Sequence, residues 1–215
     1  METLLYTANF VNLKSYDLSN KFNSCILTIS VGQNVHEGEK FKATLNLINK
    51  NFKKCTIGVC DTLQRHSIAM LAGLEGDALY EIAKKDGDQW IDRNIEYCKK
   101  YLAIPFEIIR WDNWLRDEKY KLYREQVNFL YDTDKVFVSI IEKLAIEFNN
   151  RLKKRDYNLD EEKGLKLSTE YLLEECAVMS IWYEEGYNVA MAAAIRQIVD
   201  VPVMVVGRNI DPVKA

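Results

Sequence analysis

The chain has 215 residues, 29 basic against 32 acidic, for a net charge of −3. Apolar residues make up 48% and charged residues 28%, which excludes a disordered chain and suits one soluble globular domain over residues 1–215 with a sizeable core. A chain this close to neutral does not coat nucleic acid with its whole surface, so any contact of that kind needs a local basic patch. No run approaches about 18 uninterrupted apolar residues, and residues 1–14 lack the basic and apolar regions of a secretory signal. The expectation is a cytoplasmic protein without a membrane span.

Five scattered cysteines, Cys25, Cys55, Cys60, Cys98 and Cys176, contain no C-x-x-C spacing, which disfavours a disulfide framework or a zinc knuckle. Cys25, Cys55 and Cys60 lie in apolar runs and read as small hydrophobes. No metal site is expected.

The run Cys25-Ile26-Leu27-Thr28-Ile29-Ser30-Val31 is short, β-branched and nearly continuous, as in a strand buried on both faces. Residues 37–49 then place Phe41, Leu45 and Ile48 at helical spacing, with acidic residues near the start where the helix dipole favours them. Cys55-Thr56-Ile57-Gly58-Val59-Cys60 completes a βαβ unit, which makes the two strands parallel neighbours. Residues 62–102 read as two helices broken near Asp86-Gly87-Asp88, and Phe106-Glu107-Ile108-Ile109 as a third strand. Between 113 and 155, Leu122, Phe129, Leu130, Phe137, Ile140, Ile141 and Leu144 are spaced for one or more long helices covering the sheet. Residues 161–185 predict a further helix, and 201–206 a last strand that Pro202 confines to an edge or a strand start. The expected fold is a Rossmann-like, doubly wound α/β domain with a mainly parallel sheet.

Such sheets bind ligands beyond the carboxyl ends of their strands, here Ser30 to Asn34 and Cys60 to His66. The first loop offers a hydroxyl, a glycine and amides ahead of a helix, the parts that acyl transfer needs. Ser30 also reads as an ordinary strand end, and Asp61 or Thr62 as a helix cap. A hydrolase triad of Ser30, His66 and Asp61 is conceivable, but no G-x-S-x-G elbow is present. Tyr171 and Glu175, four apart on the late helix, share one face, and a carboxyl beside its apolar surface exchanges protons near neutrality. Basic clusters occur at Lys84-Lys85, at Arg93 with Lys99-Lys100, and at Arg151, Lys153, Lys154 and Arg155. Neither a G-x-G-x-x-G motif nor a P-loop is present, which removes dinucleotides and nucleoside triphosphates as expected ligands.

Five stretches together resemble the tRNA-dependent cyclodipeptide synthases: Ile29-Ser30-Val31-Gly32-Gln33-Asn34, Asp61-Thr62-Leu63-Gln64-Arg65-His66, Gly87-Asp88-Gln89-Trp90-Ile91-Asp92-Arg93-Asn94, Arg110-Trp111-Asp112-Asn113-Trp114-Leu115 and Tyr171-Leu172-Leu173-Glu174-Glu175. The resemblance implies a fold like the class I aminoacyl-tRNA synthetase catalytic domain and a ping-pong reaction on two aminoacyl-tRNAs, without a cofactor. It implies that Ser30 carries the first aminoacyl group as an ester and then a dipeptidyl group, whose cyclisation releases a 2,5-diketopiperazine. Tyr171 would hold the first amine, and Glu175 would bind it and move protons. Gly32, Gln33, Asp61, Gln64 and Tyr187 would line the substrate site. Lys84, Lys85, Arg93, Lys99 and Lys100 would contact tRNA.

Gln33, where one subfamily has asparagine, places the chain with the other subfamily. That subfamily carries a late Tyr-Pro pair, and this chain has Ala192-Ala193 at about that place, with Tyr183 and Tyr187 as nearby phenols. A non-catalytic tRNA-binding homologue is therefore the alternative reading, and a serine hydrolase the lesser one. A monomer is expected, since no long apolar helix face asks for a partner.

Overall fold

The structure is a computed structural model that describes residues 5–11, 22–72, 74–154, 160–185, 189–191, 204–205 and 207–212. Its core is a five-stranded parallel sheet of β2 (Phe22–Ile29), β3 (Phe52–Val59), β4 (Phe106–Arg110), β5 (Val189–Met191) and β6 (Met204–Val205), in the order β4-β3-β2-β5-β6. The strands thus run outward from β2 in both directions, and the order reverses between β2 and β5. The expected last strand lies at the sheet edge, its described part being β6, while 201–203 and 206 lie outside the described residues.

Both faces of the sheet are covered, as the continuous apolar run of β2 requires. Cys25, Leu27 and Ile29 turn to one side, against Phe41, Leu45 and Ile48 of α1 (Gly38–Asn51) and Trp90 and Cys98 of α3 (Asp77–Tyr101). Ile26 turns to the other, into a layer built from α4 (Trp111–Leu115), α5 (Glu118–Thr133), α6 (Lys135–Lys153) and α7 (Glu161–Glu184). Trp111, Trp114 and Trp182 stack edge to face at its centre. Gly58 in β3 lets that cluster approach, since a Cβ there would lie 2.8 Å from the Trp114 ring. All five cysteines are buried and free. Among the described residues, no helix is long and apolar enough to cross a membrane.

Two sequence expectations need correction. The helical stretch after β3 does not break at Asp86-Gly87-Asp88. A 3-10 turn (Thr62–Gln64) leads into α2 (Arg65–Ala72), and α3 starts at Asp77 after Gly76 at φ +75°. Gly87 lies inside α3 because α3 crosses the end of β3 closely there, and an added Cβ would come within 2.6 Å of the Asp61 Cβ. Glycine to alanine inside a helix ordinarily stabilises by roughly 0.5–1 kcal/mol. Gly87→Ala will do the reverse, lowering the urea unfolding free energy by about 1–3 kcal/mol through overpacking on Asp61.

The second correction is an antiparallel ribbon of β1 (Tyr6–Val11) and β7 (Gly207–Pro212), absent from the sequence reading. It packs on α1. Its pairing joins segments some 200 positions apart in sequence, as the register Tyr6 with Pro212 shows, so no local pattern announces it.

Candidate active site

Ser30 is the first residue after β2, at the point where the strand order reverses, the crevice where open parallel sheets receive ligands. It is half-buried, and its hydroxyl makes no hydrogen bond among the described residues. The chain then turns through Gly32 at φ +84°, and the Gln33 N–H donates back to the Ser30 carbonyl at 3.2 Å. Nothing would meet a Cβ at Gly32, so its glycine is required by the turn and not by crowding. Gly32 and Gln33 are both exposed at the mouth of this loop.

The neighbouring strand delivers Cys60, whose N–H donates to the Ile29 carbonyl at 3.0 Å, and then the loop from Asp61 to His66. Asp61 is fully buried. One of its oxygens accepts from the Thr62 N–H at 2.8 Å, the other from Arg110 Nε at 2.7 Å. Burial raises its pKa, and the bonds from Thr62 and Arg110 oppose the rise. Arg110, at the end of β4, also bonds Asp88 and the Lys84 carbonyl of α3, so through it Asp61 ties the loop after β3 to β4 and α3. Thr62 Oγ1 donates to Asp112 Oδ1 at 2.6 Å, and the Tyr80 hydroxyl donates to the other Asp112 oxygen.

The same loop grips α7. The Gln64 side chain opposes the rise that burial imposes on the Tyr171 pKa, and the His66 ring meets the Tyr171 ring edge-on at 6.3 Å. Arg65 forks onto Glu174, one arm at 2.9 Å, while Trp111 Nε1 donates to Glu174 at 2.8 Å and His66 Nε2 lies 3.3 Å from it. Glu174 is almost wholly buried. Burial alone would raise its pKa, but the bonds from His66 and Arg65 win and bring it down to about 2. Glu175, one residue on, is buried with Oε2 lacking any hydrogen-bond partner among the described residues. Burial, and then the charge of Glu174, push its pKa up to about 8. Two adjacent carboxyls are thereby driven apart, one a fixed anion and the other a group that exchanges protons near neutrality.

Tyr171 and Glu175 are brought together, as their spacing predicts. Burial first, and then the field of Glu175, raise the pKa of both Tyr171 and Cys60, the residue whose N–H bonds the strand end before Ser30. The hydrolase triad is not assembled. His66 is committed to Glu174, Asp61 to Arg110, and neither bonds the other.

The five basic residues expected to contact tRNA all lie on α3. With about 3.6 residues per turn, Lys85, Lys99 and Lys100 fall opposite the buried stripe of Ala83, Gly87, Trp90, Asn94 and Cys98, with Lys84 and Arg93 on its flanks. Acidic residues interleave: Arg93 pairs with Glu37 at 3.1 Å and Lys99 with Glu96 at 2.6 Å. Lys100 lies over the Tyr101 ring. Tyr187 and Ala192-Ala193 lie outside the described residues.

The sequence reading missed Arg65, Trp111 and Glu174 as a unit. Its one visible signal was two charged side chains and an indole inside the stretches carrying the family resemblance, where nothing in local spacing says which of them are buried.

No protein-family model matches the chain, and neither does any curated protein. Solved structures do. A cyclodipeptide synthase (CDPS) from Fluoribacter dumoffii is 34% identical, with 96% of this chain and 98% of that chain covered and a TM-score of 0.86. A cyclodipeptide synthase from Candidatus Glomeribacter gigasporarum, bound to Phe-tRNAPhe, is 17% identical over 92% of this chain and 91% of its own, with a TM-score of 0.71. A Mycobacterium tuberculosis protein, whose structure is described as demonstrating that cyclodipeptide synthetases are related to type I tRNA synthetases, is 9% identical over 99% and 95%, with a TM-score of 0.68. These last two likenesses establish the shared fold.

Proposed function

This chain belongs to the cyclodipeptide synthase family, and we propose that it draws aminoacyl groups from two aminoacyl-tRNAs in a ping-pong sequence through Ser30. The observation that carries this reading is the buried Glu175 carboxyl, with an oxygen unpartnered among the described residues, one helical turn from Tyr171 and felt electrostatically by Cys60 at the strand end next to Ser30. Ser30 Oγ attacks the ester carbonyl of the first aminoacyl-tRNA. The bond to the terminal ribose oxygen breaks, and that oxygen leaves with a proton. The amine of the resulting aminoacyl-Ser30 then attacks the second aminoacyl ester, forming a peptide bond and releasing the second tRNA. Attack by the new terminal amine on the Ser30 ester closes the diketopiperazine and restores the hydroxyl.

Each amine must lose a proton as it attacks, and a carboxyl with pKa about 8 is matched to that exchange. Tyr171 and Glu175 receive the first amine, with Gly32, Gln33 and Gln64 around them. The tRNA ester supplies the activation, which agrees with the absence of phosphate-binding loops. The solvent face of α3, with Lys84, Lys85, Arg93, Lys99 and Lys100, is the proposed contact for the tRNA backbone, so binding weakens with added salt.

The test is purified chain with mixed charged tRNAs and no ATP, followed by mass spectrometry for diketopiperazines. A cyclic dipeptide is expected, and its mass identifies the two residues joined. Binding of charged tRNA with no product from any of them would establish the non-catalytic alternative.

A further inference from the structure

We infer that His36 is the positioning residue for the Ser30 nucleophile, holding the serine main chain through imidazole Nδ1; this rests on the transferase reading above. Nδ1 lies 3.0 Å from both the Ser30 nitrogen and the Ser30 carbonyl oxygen. Ser30 has just left the strand ladder, so its main-chain groups need partners from elsewhere. The carbonyl has one in the Gln33 N–H, whereas the N–H has no backbone partner among the described residues. Nδ1 therefore serves as acceptor for the Ser30 N–H, and the ring proton sits on Nε2.

The path back to Ser30 is built into the turn. Gly32 reverses the chain, a 3-10 turn (Asn34–His36) follows, and the His36 N–H donates to the Gln33 carbonyl at 2.9 Å. The imidazole thereby returns over the residue six positions earlier. His36 is buried, and its carbonyl accepts from Trp90 Nε1 of α3 at 3.2 Å. Glu37, next in the chain, accepts from Asn94 Nδ2 at 3.0 Å. The turn is thus anchored to the core on one side and bonded to the serine on the other. Both contacts at Ser30 are to main-chain atoms, so His36 acts through the serine and not on the substrate. It fixes the direction in which the hydroxyl leaves the strand end, and a misplacement of about 1 Å at such a group costs up to 10²-fold in rate.

The experiment compares His36→Asn, His36→Gln and His36→Leu with the wild-type chain, measuring single-turnover acylation of Ser30 from charged tRNA, tRNA affinity and melting temperature. An asparagine amide reaches the place of Nδ1, a glutamine amide reaches one bond too far, and leucine offers no partner. Acylation is expected to fall about 10²-fold in His36→Leu with unchanged tRNA affinity, to fall comparably in His36→Gln, and to stay within about tenfold of wild type in His36→Asn. If His36→Leu does not fold, the Asn and Gln pair decides the matter. Equal rates in those two variants, or wild-type acylation by His36→Leu, would overturn the inference while leaving the transferase reading intact. A wild-type chain that never acylates Ser30 would overturn that reading, and this inference with it.

Discussion

Ser30→Ala will release no cyclic dipeptide and form no aminoacyl-enzyme, yet it will unfold at the wild-type temperature and bind charged tRNA as before. The separation follows from the surroundings of the hydroxyl. It is half-buried and makes no hydrogen bond among the described residues, so its loss leaves no partner stranded and changes stability by about 0.5 kcal/mol or less. Its chemical loss is complete, because the ping-pong route stores both the first aminoacyl group and the dipeptidyl group on this one oxygen. Intact-mass spectra after mixing with charged tRNA should show an adduct of one aminoacyl residue on the wild-type chain and none on the variant. Product formation by Ser30→Ala at a comparable rate would move the chemistry to direct attack between two tRNA-bound aminoacyl groups.

The serine could be found in the sequence for a physical reason. A β-branched run too continuous for a one-faced strand announces a central strand, and open parallel sheets put their chemistry just past such strands. The same logic exposed Asp61 to His66, and helical spacing alone joined Tyr171 to Glu175. What the spacing did not carry was burial. Asp61 reads as a helix cap, and nothing in the spacing says that it, Arg65, Asp112 and Glu174 are drawn into one bonded cluster until Arg110, Trp111 and Tyr80 arrive from elsewhere in the chain. Gly87 failed for a related reason: glycine marks both a break in a helix and a close approach to one, and only Asp61 behind it distinguishes the two. The β1–β7 ribbon depends on pairing across nearly the whole chain, beyond the reach of periodicity.

Arg65→Ala will be among the most destabilising single changes at this site. It strands Glu174, a carboxylate only 3% exposed, with Trp111 and His66 as its remaining described partners. Removing one member of such a buried pair costs about 3–5 kcal/mol, read as a fall in urea unfolding free energy near pH 7. The deficit is pH-dependent with a definite sign. Glu174 has its pKa lowered from 4.5 to about 2 on folding, so its contribution is present above pH 4.5 and is lost as the pH falls through about 2. The gap between Arg65→Ala and wild type should therefore narrow across that interval. Arg65→Met with Glu174→Met should recover part of the loss, since apolar replacements for a buried pair leave no orphaned charge. Glu174→Gln has a functional consequence of its own. Burial remains the main force raising the Glu175 pKa, but the Glu174 charge adds to it, so removing that charge lets Glu175 ionise at lower pH. The acid limb of the pH profile for dipeptidyl formation should then shift downward, while the rate of the first acylation of Ser30 stays unchanged. A limb that does not move would separate Glu174 from proton transfer and leave it solely as the anchor of α7.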